Sequence, residues 1–378
     1  MNRNAVEGAS RIVIKIGSSI LTNGGKGLDH NFIDDIARQV VDLQLLGKQI
    51  VIVSSGAIAQ GMSQLGWDVQ SRKIDQLQTA ASVGQAGLMH YYETCFRQHE
   101  KKTGQILIDH DDFANRERYL NARNVIKNLL DLEVVPIINE NDSVSSEEIR
   151  FGDNDTLAAL VSNLIDADLL ILLTDKDGLY SADPNLKKDV FLINNVSVHD
   201  QSLNKYAGGA SSLGRGGMVT KIKAARIAAK SGCGTIIAGG MIKNIVTKLA
   251  SGEDLGTFLY SDEKPLNARK QWLMGQLKHS GDLIIDAGAS KALQKDFVSL
   301  LPVGVKKVLG TFNRGELVRC IDDEGVEVAR GLINYNSSDA RSIIGLPSSA
   351  IVSILGYEEN PNLIDKDNLV VVSGCLSK

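Results

Sequence analysis

The stretch Arg11-Ile12-Val13-Ile14-Lys15-Ile16-Gly17-Ser18-Ser19 decides the fold. A short run of branched apolar residues closed by a glycine reads as a strand covered on both faces, as in parallel sheets between helix layers. Lys15 interrupts that run. A buried ammonium is expensive unless an anion meets it, so Lys15 asks for a negative partner. The competing reading is an edge strand with a solvated lysine. Gly17, followed by Ser18 and Ser19, reads as a sharp turn whose amide groups converge on an anion.

Working outward, the same grammar repeats. Phe32, Ile36, Val40, Leu43 and Leu46 recur at helical spacing up to Gly47, and Gln49 to Val53 is a second buried strand. It runs into Ser54-Ser55-Gly56-Ala57 and then a helical segment, so that amide groups of a helix N-terminus face the strand end. Helical segments over Gln76 to Phe96 and Glu117 to Leu130 flank a strand at Gln105 to Ile108. Val134 to Ile138 is the next strand, although Pro136 argues against a central position for it.

That strand ends in Asn139-Glu140-Asn141-Asp142. Phe151-Gly152-Asp153-Asn154-Asp155 then precedes a helix from about Thr156 to Ile165, with Asp or Asn available as its cap. Leu169 to Leu173 is the most apolar strand and stops at Thr174-Asp175-Lys176-Asp177-Gly178. Gly214-Arg215-Gly216-Gly217-Met218-Val219-Thr220-Lys221 opens a helix to about Lys230, and Thr235 to Ala238 is a further strand. Strand, loop and helix in repeated order predict a mainly parallel sheet with helices on both faces, and ligands beyond the carboxyl ends of the strands.

The pattern loosens between Ser251 and Asp262. From about Asp282, short strands with glycine turns are expected at Val305 to Leu309, Glu316 to Ile321, Val326 to Leu332 and Ala350 to Ile354. A chain of 378 residues exceeds the size of a single growing core. We therefore expect an α/β domain over 1-260, a linker over 261-281 and a small β-rich domain over 282-378.

Composition narrows the class. Hydrophobic content of 43% with 23% charged residues suits a soluble globular protein, and no apolar run is long enough for a bilayer. Residues Met1 to Ser10 lack the apolar core of a signal peptide, so a cytoplasmic protein is expected. Cys95, Cys233, Cys320 and Cys375 lack the paired spacing of a zinc or redox site and read as buried reduced thiols. The net charge is -4, and residues 265–378 carry 13 basic and 13 acidic side chains, a balance that disfavours a nucleic-acid partner.

Two lysines on glycine-containing elements, a helix N-terminus and nearby carboxylates suit phosphoryl transfer, where a protein mainly positions reactants and neutralises charge. No Walker P-loop is present. Each residue also has a plainer reading. Ser55, Asp142, Asn154 and Asp155 could serve as caps or turn residues, Asp175 as a turn residue and Lys221 as a solvated helix lysine.

The chain resembles the amino acid kinase family, in its glutamate-phosphorylating branch, followed by a PUA-like domain. The resemblance is carried by Lys15-Ile16-Gly17-Ser18-Ser19, Ser54-Ser55-Gly56-Ala57-Ile58-Ala59, Asn139-Glu140-Asn141-Asp142, Gly152-Asp153-Asn154-Asp155 and Gly216-Gly217-Met218-Val219-Thr220-Lys221, in that order. It implies a three-layer αβα kinase domain and transfer of the ATP γ-phosphoryl group to the side-chain carboxylate of L-glutamate, the first step of proline biosynthesis. Lys15, Lys221 and Asp155 would be catalytic, the aspartate holding the lysines in place. Ser55, Gly56, Ala57, Asp142 and Asn154 would bind glutamate.

ATP would meet Lys15, Gly17, Ser18, Thr174, Asp175, Arg215, Gly216, Gly217, Met218, Val219, Thr220 and Lys221, with Mg2+ on its phosphates and no metal held by the protein alone. Proline as a feedback inhibitor and a homo-oligomer are further expectations of the resemblance. Other acceptors of the family, a different carboxylate or carbamate, stay open on the residues alone, as does an RNA-binding role for the PUA-like domain. Two positions depart from the family pattern. Arg215 stands where a small residue, often threonine, precedes the Gly-Gly-Met run, and Asp109-His110 stands where Thr-Arg is common.

Overall fold

The computed structural model describes residues 3–22, 27–67, 73–109, 112–113, 116–144, 154–182, 189–206, 217–261, 279–296, 298–358 and 360–371. Two compact units emerge: Met1–Ala114 with Asn121–Ala268, and Asn115–Leu120 with Arg269–Lys378. Among the described residues no helix is long and apolar enough to cross a membrane.

The first unit is built on β1 (Arg11–Ile16), β2 (Gln49–Val53), β3 (Thr103–Ile108), β4 (Val135–Glu140), β5 (Leu169–Thr174), β6 (Asn195–Ser197), β7 (Gly234–Gly239) and β8 (Thr257–Tyr260). They form one sheet in the order β3-β4-β2-β1-β5-β7-β8-β6. Strands β3 to β7 along that order are parallel; β8 is antiparallel to β7, and β6 is parallel to β8. β1 is central, with Ile14 opposite Ile52 on one side and Ile171 on the other. The edge-strand reading of Lys15 is thereby excluded.

Side chains alternate across a strand, so Ile12, Ile14 and Ile16 face one layer while Val13 and Lys15 face the other. The first layer holds helices His30–Leu45, Ile74–Gln98 and Ile245–Ala250, whose Ile33, Ile36, Val40, Leu88, Tyr92 and Leu249 share a core with the isoleucines of β1. His30–Leu45 is capped by Asp29, whose carboxylate accepts from the Phe32 amide at 3.0 Å. Helices Asn154–Leu164 and Met218–Ala229 contribute the buried Leu157, Val161, Ile222 and Ala225.

Pro136 sits inside β4, between β3 and β2, and is fully buried. The preceding amide, of Val135, donates to Lys102 toward β3 at 2.9 Å, so the nitrogen of Pro136 faces β2. Pairing with β2 begins only at Ile137, and no ladder bond is lost.

In the second unit, β9 (Gly281–Ile285), β10 (Val305–Gly310), β11 (Leu317–Ile321), β12 (Glu327–Ile333) and β13 (Ile364–Val371) form a sheet in the order β10-β9-β11-β12-β13. Three expected strands are present, but the expected strand at Ala350 to Ile354 is helical, over Ile351–Leu355. A five-residue apolar run does not distinguish the two states by itself. Here Ile351 is buried while Val352 and Ile354 are exposed, a one-sided pattern that a helix turn accommodates. Cys95, Cys233 and Cys320 are buried free thiols, and burial pushes the thiols of Cys233 and Cys320 upward, the latter to about 12. Cys375, His110 and the linker residues 262–278 lie outside the described residues.

Helices Ala57–Gln64 and Ile74–Gln98 cross with their backbones in contact. A Cβ on Gly84 would lie 1.9 Å from the Ala57 carbonyl oxygen, and one on Gly61 would lie 1.7 Å from that of Ala80. Because backbone cannot yield as a flexible side chain can, Gly84→Val is expected to lower the free energy of unfolding by about 2–3 kcal/mol, read from the urea midpoint.

Candidate active site

The parallel strands β1, β2, β4, β5 and β7 all end on the same edge of the sheet, and every described candidate residue lies there or on a helix beginning there. The chain leaves β1 toward β2 on one side and later returns to β5 on the other, so this edge is opened at a topological switch point.

Lys15 projects from β1 to the layer of helix Asn154–Leu164. Its Nζ meets Asp155 Oδ1 at 2.7 Å. Lys221, in the first turn of Met218–Ala229, meets Asp155 Oδ2 at 2.9 Å, and Thr220 Oγ1 lies 2.9 Å from the same oxygen. All three charges are buried, with Lys15 7%, Asp155 1% and Lys221 5% exposed. Burial pushes the Asp155 carboxyl upward, and the two ammonium groups more than offset this, holding it down at about 2. Of these three groups, one positive charge is left over.

Gly17 adjoins this cluster for a reason other than turning. Its φ of -72° and ψ of 147° suit any residue, so the expected glycine-dependent turn is corrected. A Cβ there would lie 3.3 Å from the Leu173 carbonyl oxygen and 3.9 Å from Lys15 Nζ, so what the position requires is close approach. Ser18 begins the short helix Ser18–Leu21. Gly56 does need to be glycine: its φ is +95°, and a Cβ would lie 3.0 Å from Leu21 Cδ2. It caps Ala57–Gln64, whose first amides therefore lack a side-chain cap.

One peptide bond from Asp155, Asn154 belongs to a different kind of network. Its Nδ2 lies 2.7 Å from the Ser54 carbonyl, 3.0 Å from Ser55 Oγ and 3.0 Å from Asn139 Oδ1. Asn154 and Asp155 were expected just ahead of a helix, but they form its first turn. Asp142 follows the end of β4 in a turn. Thr174, the last residue of β5, donates from Oγ1 to Asp175 Oδ1 at 3.0 Å, and its carbonyl accepts from Gly240 at 2.8 Å. Gly217, Met218, Val219 and Thr220 open the helix that carries Lys221. Arg215 and Gly216, like Asp153, lie outside the described residues.

Sequence reasoning missed Gln85, Tyr92 and the side-chain role of Asn139. Asn139 Nδ2 donates to Gln85 Oε1 at 2.9 Å, and the Tyr92 hydroxyl lies 3.0 Å from Ser54 Oγ. A signal existed: Ala81, Gln85, Leu88 and Tyr92 recur at helical spacing, placing a glutamine in an otherwise apolar stripe.

The chain matches the family model described as the amino acid kinase family over residues 10–239 and that of the PUA domain over residues 281–355. Among curated relatives, glutamate 5-kinase of Pseudomonas putida (strain GB-1) is 54% identical over 98% of this chain and 100% of its own. Glutamate 5-kinase of Methylococcus capsulatus (strain ATCC 33009 / NCIMB 11132 / Bath) is 51% identical over 98% of this chain and 99% of its own.

Removing the Asp155 charge leaves two buried lysines facing each other, and Asp155→Asn is expected to destabilise the protein by about 3–5 kcal/mol near neutral pH. The folded pKa lies below the ordinary value, so the carboxylate stabilises above 3.8, and that contribution is lost as pH falls toward about 2. Urea unfolding of both proteins across this range should show the gap between them closing as the pH drops. A gap independent of pH would contradict the ion pairing.

Proposed function

The chain belongs to the amino acid kinase family, and from its site we propose that it transfers the γ-phosphoryl group of ATP to the side-chain carboxylate of L-glutamate, giving L-glutamate 5-phosphate, the first step of proline biosynthesis. The observation that carries this reading is the adjacency of Asn154 and Asp155. The helix that holds the lysine pair through Asp155 also presents Asn154 to Ser55, so a carboxylate binding site and a phosphoryl site share one rigid element.

A carboxylate oxygen attacks the γ-phosphorus, the bond to the β–γ bridging oxygen breaks, and ADP leaves with that electron pair. The acceptor is already ionised at neutral pH, so no general base is required. What the reaction demands is neutralisation of the negative charge gathered on the transferred group. In this reading Lys15 and Lys221 supply it, and Asp155 holds both ammonium groups in place. Ser55 accepts from Asn154 and keeps its own hydroxyl hydrogen for a substrate oxygen.

The amides after Gly56 and Ala57 receive anionic oxygen of glutamate, and Asp142 pairs with its ammonium group. ATP lies against Lys15, Gly17, Ser18, Thr174, Asp175 and the segment from Arg215 to Lys221. Among the described residues no group of three or more His, Cys, Asp or Glu side chains is placed to hold a metal, and magnesium arrives on the phosphates as part of the nucleotide substrate. The same reading places the enzyme in the cytoplasm as a homo-oligomer, with proline as a feedback inhibitor. It includes no nucleic-acid partner, supported by the even charge balance of residues 265–378.

ATP turnover measured with glutamate, aspartate, carbamate and N-acetylglutamate, with hydroxylamine trapping the acyl phosphate, should give a hydroxamate with glutamate. Turnover of another acceptor in its place would reject the assignment. Lys221→Ala should reduce kcat by about 100-fold or more, a far larger effect than on the unfolding midpoint.

A further inference from the structure

Asn154 holds Ser55 through its nitrogen, and an asparagine side chain is nearly symmetric, so something must choose which end faces the site. The Ser54 carbonyl can only accept, and it lies 2.7 Å from Asn154 Nδ2. The nitrogen therefore faces the strand end, and the atom of Asn139 that meets it at 3.0 Å must be the acceptor Oδ1. That choice turns the Asn139 nitrogen the other way, into a region where water is scarce: Asn139 is 1% exposed and Gln85 8%. There it donates to Gln85 Oε1 at 2.9 Å.

We propose that Gln85 is a positioning residue for the acceptor substrate: its side-chain oxygen satisfies Asn139 in the amide orientation that the Ser54 carbonyl selects, and so retains Asn154 on Ser55. This rests on the reading of the site as the glutamate subsite. Gln85 touches no reacting atom. Its task is to accept one hydrogen bond; Nε2 is buried with no hydrogen-bond partner among the described residues.

Without that acceptor, Asn139 Nδ2 is a buried donor with nothing to bind, a state that favours rotation of the amide by half a turn. Rotation would bring nitrogen against the nitrogen of Asn154 and drive Asn154 off Ser55. Tyr92 reinforces the arrangement from two helical turns further along the same face. Ser54 Oγ donates to the Ser55 carbonyl at 3.1 Å, so the Tyr92 hydroxyl, 3.0 Å away, donates to Ser54. Helix Ile74–Gln98 thus braces the end of β4 through one residue and the end of β2 through another, and neither bond reaches the lysine pair.

The separation dictates the test. Gln85→Met keeps length and bulk but removes the acceptor. It should raise KM for glutamate, and the Kd for glutamate measured by calorimetry without nucleotide, by about tenfold. KM for ATP and kcat should stay within about twofold, because the charge cluster is untouched. Gln85→Glu retains an acceptor at the same reach and should return KM for glutamate to within about threefold of the native value.

If Gln85→Met fails to fold, Gln85→Asn, which draws the acceptor back by one methylene, carries the same expectation. An unchanged KM for glutamate in the folded variant, equal losses for both substrates, or Gln85→Glu as impaired as Gln85→Met would each overturn the positioning role while native turnover of glutamate stands. A native enzyme inactive on glutamate would reject both this role and the reading on which it rests.

Discussion

A carboxylate with 1% of its surface exposed cannot stay charged in a protein interior by itself, and Asp155 constrains the architecture for that reason. Its two oxygens are met by ammonium groups from opposite ends of the kinase-like unit's sequence, Lys15 on the central strand and Lys221 on the helix that precedes β7. Three elements must reach register before any of these charges is tolerable. Burying two cations and one anion is not the cheapest way to fill this volume, since apolar residues of similar size commonly serve as well or better. Such an arrangement is what a proposed phosphoryl-transfer site would require of its lysines.

Beside it stands a network without formal charge. From the Ser54 carbonyl, which can only accept, through Asn154 and Asn139 to Gln85, each contact has a direction that the next one inherits, and Ser55 is held from Asn154. The two systems meet at the peptide bond between Asn154 and Asp155. Under the proposed function, the neutral amides would orient the acceptor and the lysines would act on the phosphoryl group in transfer. In that reading their adjacency would let one rigid helix set the distance between the two partners of the reaction.

Much of this was legible because certain residues are costly where the pattern puts them. Lys15 within a branched strand pointed to an anion, with a solvated edge strand as the alternative, whereas the left-handed backbone of Gly56 came only from the structure. The parallel sheet followed from alternation alone. Less could be read where a residue's cost depends on a distant neighbour. Gln85 looks like an ordinary helix residue until Asn139 is seen beside it. Gly17 was noticed for flexibility, whereas its close approach to the Leu173 carbonyl is what a side chain would crowd. Ile351 to Leu355 carries too few residues for period to separate helix from strand, and packing decided it.

The helix Met218–Ala229 has an N-terminus suited to an anion. Its N-terminus carries the positive end of the helix dipole, with Gly217 providing no side-chain cap and no acidic residue in the first turn. Lys221 adds a further positive charge there, against the local preference for acids. Asp155 compensates part of this from another helix, in whose own first turn a carboxylate is favourable. The result is a set of backbone amides and two ammonium groups gathered at one edge of the sheet. A phosphate group carried to this edge of the sheet would meet the helix N-terminus and both ammonium groups, in the geometry that favours charge stabilisation during transfer.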